Sequence, residues 1–379
     1  MHYFIIAGEA SGDLHGAALI EALREADSDA RFSFLGGDRM AAAAAVAPII
    51  HNRDMAFMGF SEVLRHLPTV LGNLRKARGT LLDACPDAFI PVDYPSFNLK
   101  VARTAAAAGI PVYYFISPKL WAWKSWRVKE IRRTVRRMLA IFPFEPEWYA
   151  ARGFHADYVG NPSVAEVDAA LAAAPSREDF LRAHSLRDRP IIALLPGSRR
   201  SEVRNNLFIM EAAVRRFPQY RAVIAGAPGL DDDFYAGLTE LPVLRDATFP
   251  LLRHARAALV TSGTATLETA LAGVPQVVCY RANGSRLSYR IMERILKIRH
   301  VSLPNIIAGD TVVPEMLLHF CTPELVAEQL TPLLREGTPA RDAQLTGYAR
   351  IRSLLGSSDA ATSAARLILS DLSTPPAKR

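Results

Sequence analysis

The segment His2-Tyr3-Phe4-Ile5-Ile6-Ala7-Gly8-Glu9-Ala10-Ser11-Gly12-Asp13-Leu14-His15-Gly16 decides the fold. An apolar run ends on a glycine, and polar residues lead into 15–24, where apolar positions recur with the helical period. That reads as a buried strand, a tight turn and a helix. The signature returns where 88–92 meets Asp93, 112–116 meets Ser117 and 191–195 meets Pro196-Gly197-Ser198. It returns again where 222–225 meets Gly226 and 257–260 meets Thr261-Ser262-Gly263, with a second helical period over 202–217. Strands buried on both faces and alternating with helices build a parallel sheet covered on both sides. The class is therefore α/β, doubly wound. The alternation pauses between 161 and 190, where Ser176 opens a fresh helix as its cap. A single sheet would be oversized for this length, so the chain divides into two Rossmann-like domains, 1–165 and 166–345. A helix within 345–372 is expected to return to the first domain, and 373–379 to fray.

Of the 379 residues, 50% are hydrophobic and 22% charged, which excludes wholesale disorder. No stretch reaches the roughly 18 uncharged apolar residues of a spanning helix, and the start reads as a first strand, not a signal peptide. A net charge of +7 and a pI near 9.4 favour anionic partners: nucleic acid, phosphorylated metabolites or an acidic lipid surface. Cys85, Cys279 and Cys321 lie far apart without metal-ligand spacing, so a disulfide framework and structural zinc are not expected.

Several segments could carry chemistry. Glycines at 8, 12 and 16 do not make the dinucleotide fingerprint, but they form a tight turn at the carboxyl edge of a sheet, where ligands bind. Ser11, Asp13 and His15 crowd one turn without a nucleophile elbow, so a hydrolase is disfavoured. Ser11 and Asp13 could simply cap the helix; Glu9, Ser11 and Gly12 remain candidates for ligand contact. Asp93 ends a strand within Val92-Asp93-Tyr94-Pro95-Ser96-Phe97-Asn98, the position a general base needs, although a lone Asp there can also be a turn former.

The stretch Ser117-Pro118-Lys119-Leu120-Trp121-Ala122-Trp123 runs into Lys124, Arg127, Lys129, Arg132, Arg133, Arg136 and Arg137. It reads as a solvated helix face, an anion-binding wall or a single-strand platform; no RNA-binding signature accompanies it, so nucleic acid is set aside. In the second half, Gly197, Ser198 and Arg199 feed a helix, as do Ser262, Gly263, Thr264, Thr266 and Glu268. Two hydroxyl-and-glycine turns at helix starts suit a diphosphate, Arg199 can pair with it, and Glu268 can accept a ribose hydroxyl. The GK[ST] of a phosphate-binding loop is missing. Asp231-Asp232-Asp233 reads as an acidic helix start, not a metal site. Two segments pair apolar with basic residues, as interfacial helices do: Val63, Leu64, Leu67, Val70, Leu71, Leu74, Arg75 and Lys76, with Pro68 dividing them, and Arg286, Arg290 and Arg294 beside an isoleucine stripe.

Read in order, GEASGDLHG (8–16), MGFSEVL (58–64), VDYPSFN (92–98), SPKLWAW (117–123), LPGSR (195–199), SGTATLETAL (262–271) and SLPNIIAG (302–309) resemble the lipid-A-disaccharide synthase family. The resemblance implies a GT-B fold, two Rossmann-like domains facing an interdomain cleft, and an inverting transferase with neither cofactor nor metal. It implies that UDP-2,3-diacylglucosamine and 2,3-diacylglucosamine 1-phosphate are joined β-1,6, releasing UDP, at the cytoplasmic face of an anionic inner membrane. By motif, Asp93 matches the family's general base, and Arg199 and Asn305 match positions associated with donor or phosphate contact; Asn98 belongs to the same acceptor-side run as Asp93. Three positions depart from the pattern: Ser96 where a second acid is expected, Asn161 for His, and Leu318 for Gln. The alternatives weighed are a UDP-N-acetylglucosamine 2-epimerase, which has no use for apolar-basic helices, and a non-catalytic nucleotide-sugar sensor on the membrane. A homo-oligomer is left open.

Overall fold

The structure, a computed structural model, describes residues 1–55, 67–281 and 299–373. It divides into two compact units, Met1–Pro162 with Ser357–Arg379, and Ser163–Gly356. The first holds a parallel sheet of β1 (His2–Ala7), β2 (Arg31–Gly36), β3 (Ile50–His51), β4 (Ala88–Val92), β5 (Tyr113–Phe115), β6 (Arg137–Ala140) and β7 (Ala156–Tyr158), in the order β3-β2-β1-β4-β5-β6-β7. The chain starts in the middle, winds outward to β3, then crosses back to β4 beside β1. The reversal leaves a crevice at the carboxyl ends of β1 and β4, where Ala7 and Val92 are paired.

Successive side chains point to opposite faces of a strand, and both faces are apolar here. Tyr3, Ile5 and Ala7 pack under the helix Ala10–Ala26 through Leu19, Ile20 and Leu23. Phe4 and Ile6 pack on the other side with Leu99, Val101 and Ala102 of the helix Pro95–Ala107. The last helix, Ala360–Ser373, joins the first of these layers through Ala364, Ala365 and Ile368. Its Asp371 accepts from Tyr113 Oη at 2.7 Å and pairs with Arg136, just before β6, and with Arg137 of β6. The preceding helix, Pro339–Leu355, belongs to the second unit, where Gln344 exchanges hydrogen bonds with the backbone of Gln276.

The second unit repeats the winding with β8 (Ile191–Leu195), β9 (Arg221–Ala225), β10 (Val243–Leu244), β11 (Ala255–Thr261), β12 (Gln276–Tyr280) and β13 (Glu315–Leu317), in the order β10-β9-β8-β11-β12-β13. Its switch point lies between β8 and β11, where Leu195 pairs with Val260. The doubly wound α/β expectation is met in both units.

Three local expectations are settled by capping geometry. Ser176 does cap its helix, accepting from Asp179 N at 3.2 Å. Asp231 caps Asp232–Ala236 through Phe234 N at 2.8 Å, while Arg200 and Arg245 neutralise Asp231 and Asp232, so the acidic triplet is a helix start. Ser11 and Asp13, by contrast, do not cap the first helix: the cap residue is Glu9, and both lie inside. Asp13 is buried and accepts from Gly37 N, Arg39 N and Met40 N at 2.6, 3.1 and 3.2 Å, satisfying the start of the neighbouring helix Asp38–Ala44. Among the described residues, no helix is long and apolar enough to cross a membrane.

Candidate active site

In the first unit the chain leaves β4 through two consecutive residues in the left-handed region, Asp93 at φ +43° and Tyr94 at φ +49°. Neither is glycine, and such conformations persist only where surroundings enforce them. The enforcement is visible. Asp93 N donates to Phe115 O at 3.0 Å, and Asp93 O accepts from both Tyr114 Oη and Asn98 Nδ2 at 2.7 Å. Asn98 is fully buried and also reaches Ile6 O and Val92 O, so it ties β1, β4 and the kink together. The Tyr94 ring lies on Gly8; a Cβ there would stand 2.4 Å from a ring carbon, which explains the glycine. Tyr94 Oη donates to Met55 O at 2.8 Å.

The kink leaves Asp93 half-buried at the strand's carboxyl edge, one residue past the pairing of Val92 with Ala7 at the end of β1. Burial pushes its carboxyl above the ordinary range, while the charges of Lys119 and His15 pull it back. Glu9 is close enough to Tyr94 for its charge to be felt by the phenol. Ser11 is exposed, Gly12 buried and Ser96 exposed. Asn161 is buried, its amide donating to Ile141 O at 3.0 Å, an architectural contact.

In the second unit, the loops leaving β8 and β11 line one cavity of about 340 Å³ with Glu268 and Thr248. Gly197 sits at φ +126°, and a Cβ there would come within 2.6 Å of Glu202 Cβ. Glu202 was not foreseen. Its carboxylate accepts from Ser198 N at 3.1 Å and Arg199 N at 3.3 Å and pairs with the Arg199 guanidinium at 3.3 Å. Arg199 is the cap residue of the helix Arg200–Val214, and Glu202 closes a capping box with it. On the other loop, Gly263 and Thr264 are exposed, nothing lies within 4 Å of a Cβ built at Gly263, and Ser262 Oγ donates to Val301 O at 3.0 Å.

Glu268 lies one turn into the helix Thr264–Leu271. Burial, with a smaller push from Glu166, raises its carboxyl to about 7. Two expected donor contacts are not brought to the cavity. Thr266 is fully buried, donating to Gly263 O and accepting from Leu303 N. Asn305 is fully buried, donating to Val313 O and Glu315 and accepting from Val312 N and Val313 N. Both side chains shape the loops behind the cavity. Leu318 sits in the left-handed region at φ +56° after β13.

The link between the loops is a residue that carried no motif. Asn206, fully buried, donates to Pro196 O at 3.3 Å and Thr261 Oγ1 at 3.0 Å, and accepts from Arg281 N at 2.8 Å. One side chain thus gathers the ends of β8, β11 and β12. Its signal was a polar residue among Val203, Leu207, Met210 and Ala213 on the buried stripe of a helix; Asn98, likewise, sits between Phe97 and Leu99.

Of the interfacial candidates, Leu67, Leu71, Arg75 and Lys76 are exposed on the helix Leu67–Ala84, Val70 is partly buried and Leu74 is turned into the core. Pro68 stands in that helix's first turn. Val63, Leu64, Arg286, Arg290 and Arg294 lie outside the described residues. Among the described residues, no group of three or more His, Cys, Asp or Glu could hold a metal ion.

Two doubly wound units, with glycine-hydroxyl turns gathered at the switch point of the second, define a protein of the GT-B class, which includes glycosyltransferases and nucleotide-sugar epimerases. The sequence model described as lipid-A-disaccharide synthetase matches residues 3–368. The chain is 41% identical to the lipid-A-disaccharide synthase of Acidobacterium capsulatum, over 93% of this chain and 91% of that protein. It is 40% identical to that of Myxococcus xanthus, over 99% and 98%. Among solved structures, the UDP-GlcNAc 2-epimerase of Neisseria meningitidis bound to UDP-GlcNAc superposes with a TM-score of 0.59 at 14% identity, covering 98% of this chain and 99% of that one; at that identity the likeness is one of fold. The chain belongs to the lipid-A-disaccharide synthase family and is a glycosyltransferase that forms the disaccharide of lipid A.

Proposed function

We propose that the donor is UDP-2,3-diacylglucosamine and the acceptor 2,3-diacylglucosamine 1-phosphate, with Asp93 as general base. The acceptor's 6-hydroxyl oxygen attacks the anomeric carbon as Asp93 takes its proton. The new C–O bond forms while the bond from that carbon to the diphosphate breaks, and the electron pair leaves with UDP, inverting the centre. The observation that carries this reading is one cavity of about 340 Å³ at the β8–β11 switch point, lined by both glycine-hydroxyl turns. The exposed start of the helix Thr264–Leu271 offers amides and a dipole to the departing charge. The amides of Ser198 and Arg199 already serve Glu202, so the first loop's contribution is the remaining donors of the Arg199 guanidinium, which touches that carboxylate through one nitrogen. Turnover of UDP-acyl-glucosamine with and without the acyl-sugar phosphate tests the reading: UDP should appear only with the acceptor present. UDP release from donor alone would exclude it.

Arg199→Ala should raise the donor KM about tenfold or more, the weight of a charge-assisted phosphate contact, with acceptor KM unchanged. Unaltered donor kinetics would place the diphosphate elsewhere.

Glu268 makes the donor site pH-sensitive. With its carboxyl raised to about 7 by burial, it loses its charge as pH falls below neutrality and becomes a poorer acceptor for a ribose hydroxyl. Donor KM should rise from pH 8 to pH 6 in the wild type and stay flat in Glu268→Gln. The stability sign is opposite. A carboxyl raised above its unfolded value opposes folding once ionised, so wild-type melting temperature should fall relative to the Gln variant as pH climbs through about 7.

Association with the cytoplasmic face of an anionic inner membrane belongs to the same reading. Exposed Leu67 and Leu71, four residues apart and followed by Arg75, give the helix Leu67–Ala84 one apolar-basic stripe.

A further inference from the structure

The 117–133 stretch is not consumed by the proposed chemistry, and its side chains divide sharply. Trp121 is the fixed one. Its ring meets Phe144 edge-on at 5.3 Å and Phe142 at 6.4 Å, and its Nε1 donates to Glu145, a buried carboxyl that also takes Phe142 N at 3.1 Å. Ser117 is tied to Tyr149 Oη at 2.9 Å. Behind the loop, Val128 and Ile131 are buried and root the helix Val128–Thr134.

On that base two tryptophans stand outward: Trp123 is 56% exposed and Trp126 64% exposed. Packing such rings against protein is the ordinary solution, and the partly buried Trp121 next to them takes it. Each exposed ring has a cation beside it, Lys124 Nζ 3.8 Å from the Trp123 centroid and the Arg127 guanidinium 5.7 Å from the Trp126 centroid. Lys129, Arg132 and Arg133 are exposed on the following helix, and among the described residues none of them pairs with a carboxylate. The acid of that helix, Glu130, is taken by Arg103 at 2.7 Å. The surface is aromatic, and its positive charge is uncompensated among the described residues.

We propose that Trp123 and Trp126, with Lys124, Arg127, Lys129 and Arg132, seat this loop on an anionic lipid bilayer. Indole rings with an apolar body and one N–H donor settle at the headgroup level, and lysine and arginine meet the phosphates there. Charge complementarity selects this occupant. The loop leaves the carboxyl end of β5, the strand after the one that delivers Asp93, and the charge of Lys119 on the same loop is felt by that carboxyl. A bilayer contact here would keep acyl tails in lipid with the sugar near the base. The inference deepens the membrane association proposed above and rests on it.

The experiment uses the full chain and vesicles of phosphatidylethanolamine and phosphatidylglycerol at three to one. Trp123→Ser with Trp126→Ser should weaken cosedimentation about tenfold or more, and the Phe pair should restore part of it. Turnover of a short-chain, freely soluble acceptor should be unchanged. Headgroup-depth nitroxide lipids should quench wild-type tryptophan emission, which reads out the contact even if the serine variant folds poorly. Equal binding by wild type and serine variant, without quenching, overturns the assignment and leaves membrane binding to other segments. A wild type that ignores these vesicles removes the membrane reading and this one with it. Equal loss of activity on the soluble acceptor would make the rings sugar contacts and also overturn it.

Discussion

Asp93→Asn is expected to lower turnover by about two to four orders of magnitude, the usual weight of a positioned general base, while donor KM stays near wild type and the melting temperature does not fall. The geometry makes this a clean substitution. Asn is nearly isosteric with Asp and tolerates the left-handed backbone that φ +43° requires. The bonds that hold the kink run to the Asp93 backbone, from Tyr114 Oη and Asn98 Nδ2 and to Phe115 O, so they survive. What is lost is the proton acceptor. Burial raises the Asp93 carboxyl above the ordinary range, against the pull of Lys119 and His15. The base form is the ionised one, so wild-type kcat should fall as pH drops through that raised value, and the Asn variant should lack this limb. Near-normal turnover in Asp93→Asn would remove Asp93 from the mechanism and leave the proton to another base.

Why Asp93 could be singled out from sequence, and Asn206 could not, is a matter of what each residue type betrays. Apolar runs ending in Gly, Asp or Ser marked β1, β4, β5, β8, β9 and β11, because strands buried on both faces need unbroken apolar sequence. Short edge strands such as β3 and β10, of two residues each, leave no such mark. Nor did β13, whose Glu315 lies in the strand itself because its carboxylate collects Val301 N, Ser302 N and Asn305. Within the site, residues that meet solvent at strand ends were legible from position alone. The backbone groups that Asp13, Asn305 and Thr266 serve could not be named beforehand, because a buried polar side chain can answer groups distant in sequence and a single sequence does not show which ones. Asp13 answers amides 24 to 27 residues away; Asn98 reaches 92 residues back to Ile6.

The second large effect is expected at Asn206. Its side chain donates to Pro196 O and Thr261 Oγ1, both away from water, and accepts from Arg281 N at a partly buried edge. Asn206→Ala would strand the buried carbonyl of Pro196, costing about 1–3 kcal/mol, and unpair the partly buried amide of Arg281 at a smaller cost. Stability is only half of the expected result. Pro196 begins the loop that carries Gly197 and Arg199, and Thr261 begins the loop that carries Ser262 and Gly263, so the residue sets the spacing of the two walls of the cavity. A diphosphate gripped from both sides is sensitive to that spacing at well under an ångström. Donor KM should therefore rise by about tenfold or more, and acceptor KM should not. The control is Ile209→Ala in the same helix, which opens the core at similar cost without touching either loop. Equal donor KM in the two variants would reduce Asn206 to a packing residue. A rise confined to Asn206→Ala would mean that the nucleotide site is held in shape from beneath by one amide that no phosphate touches.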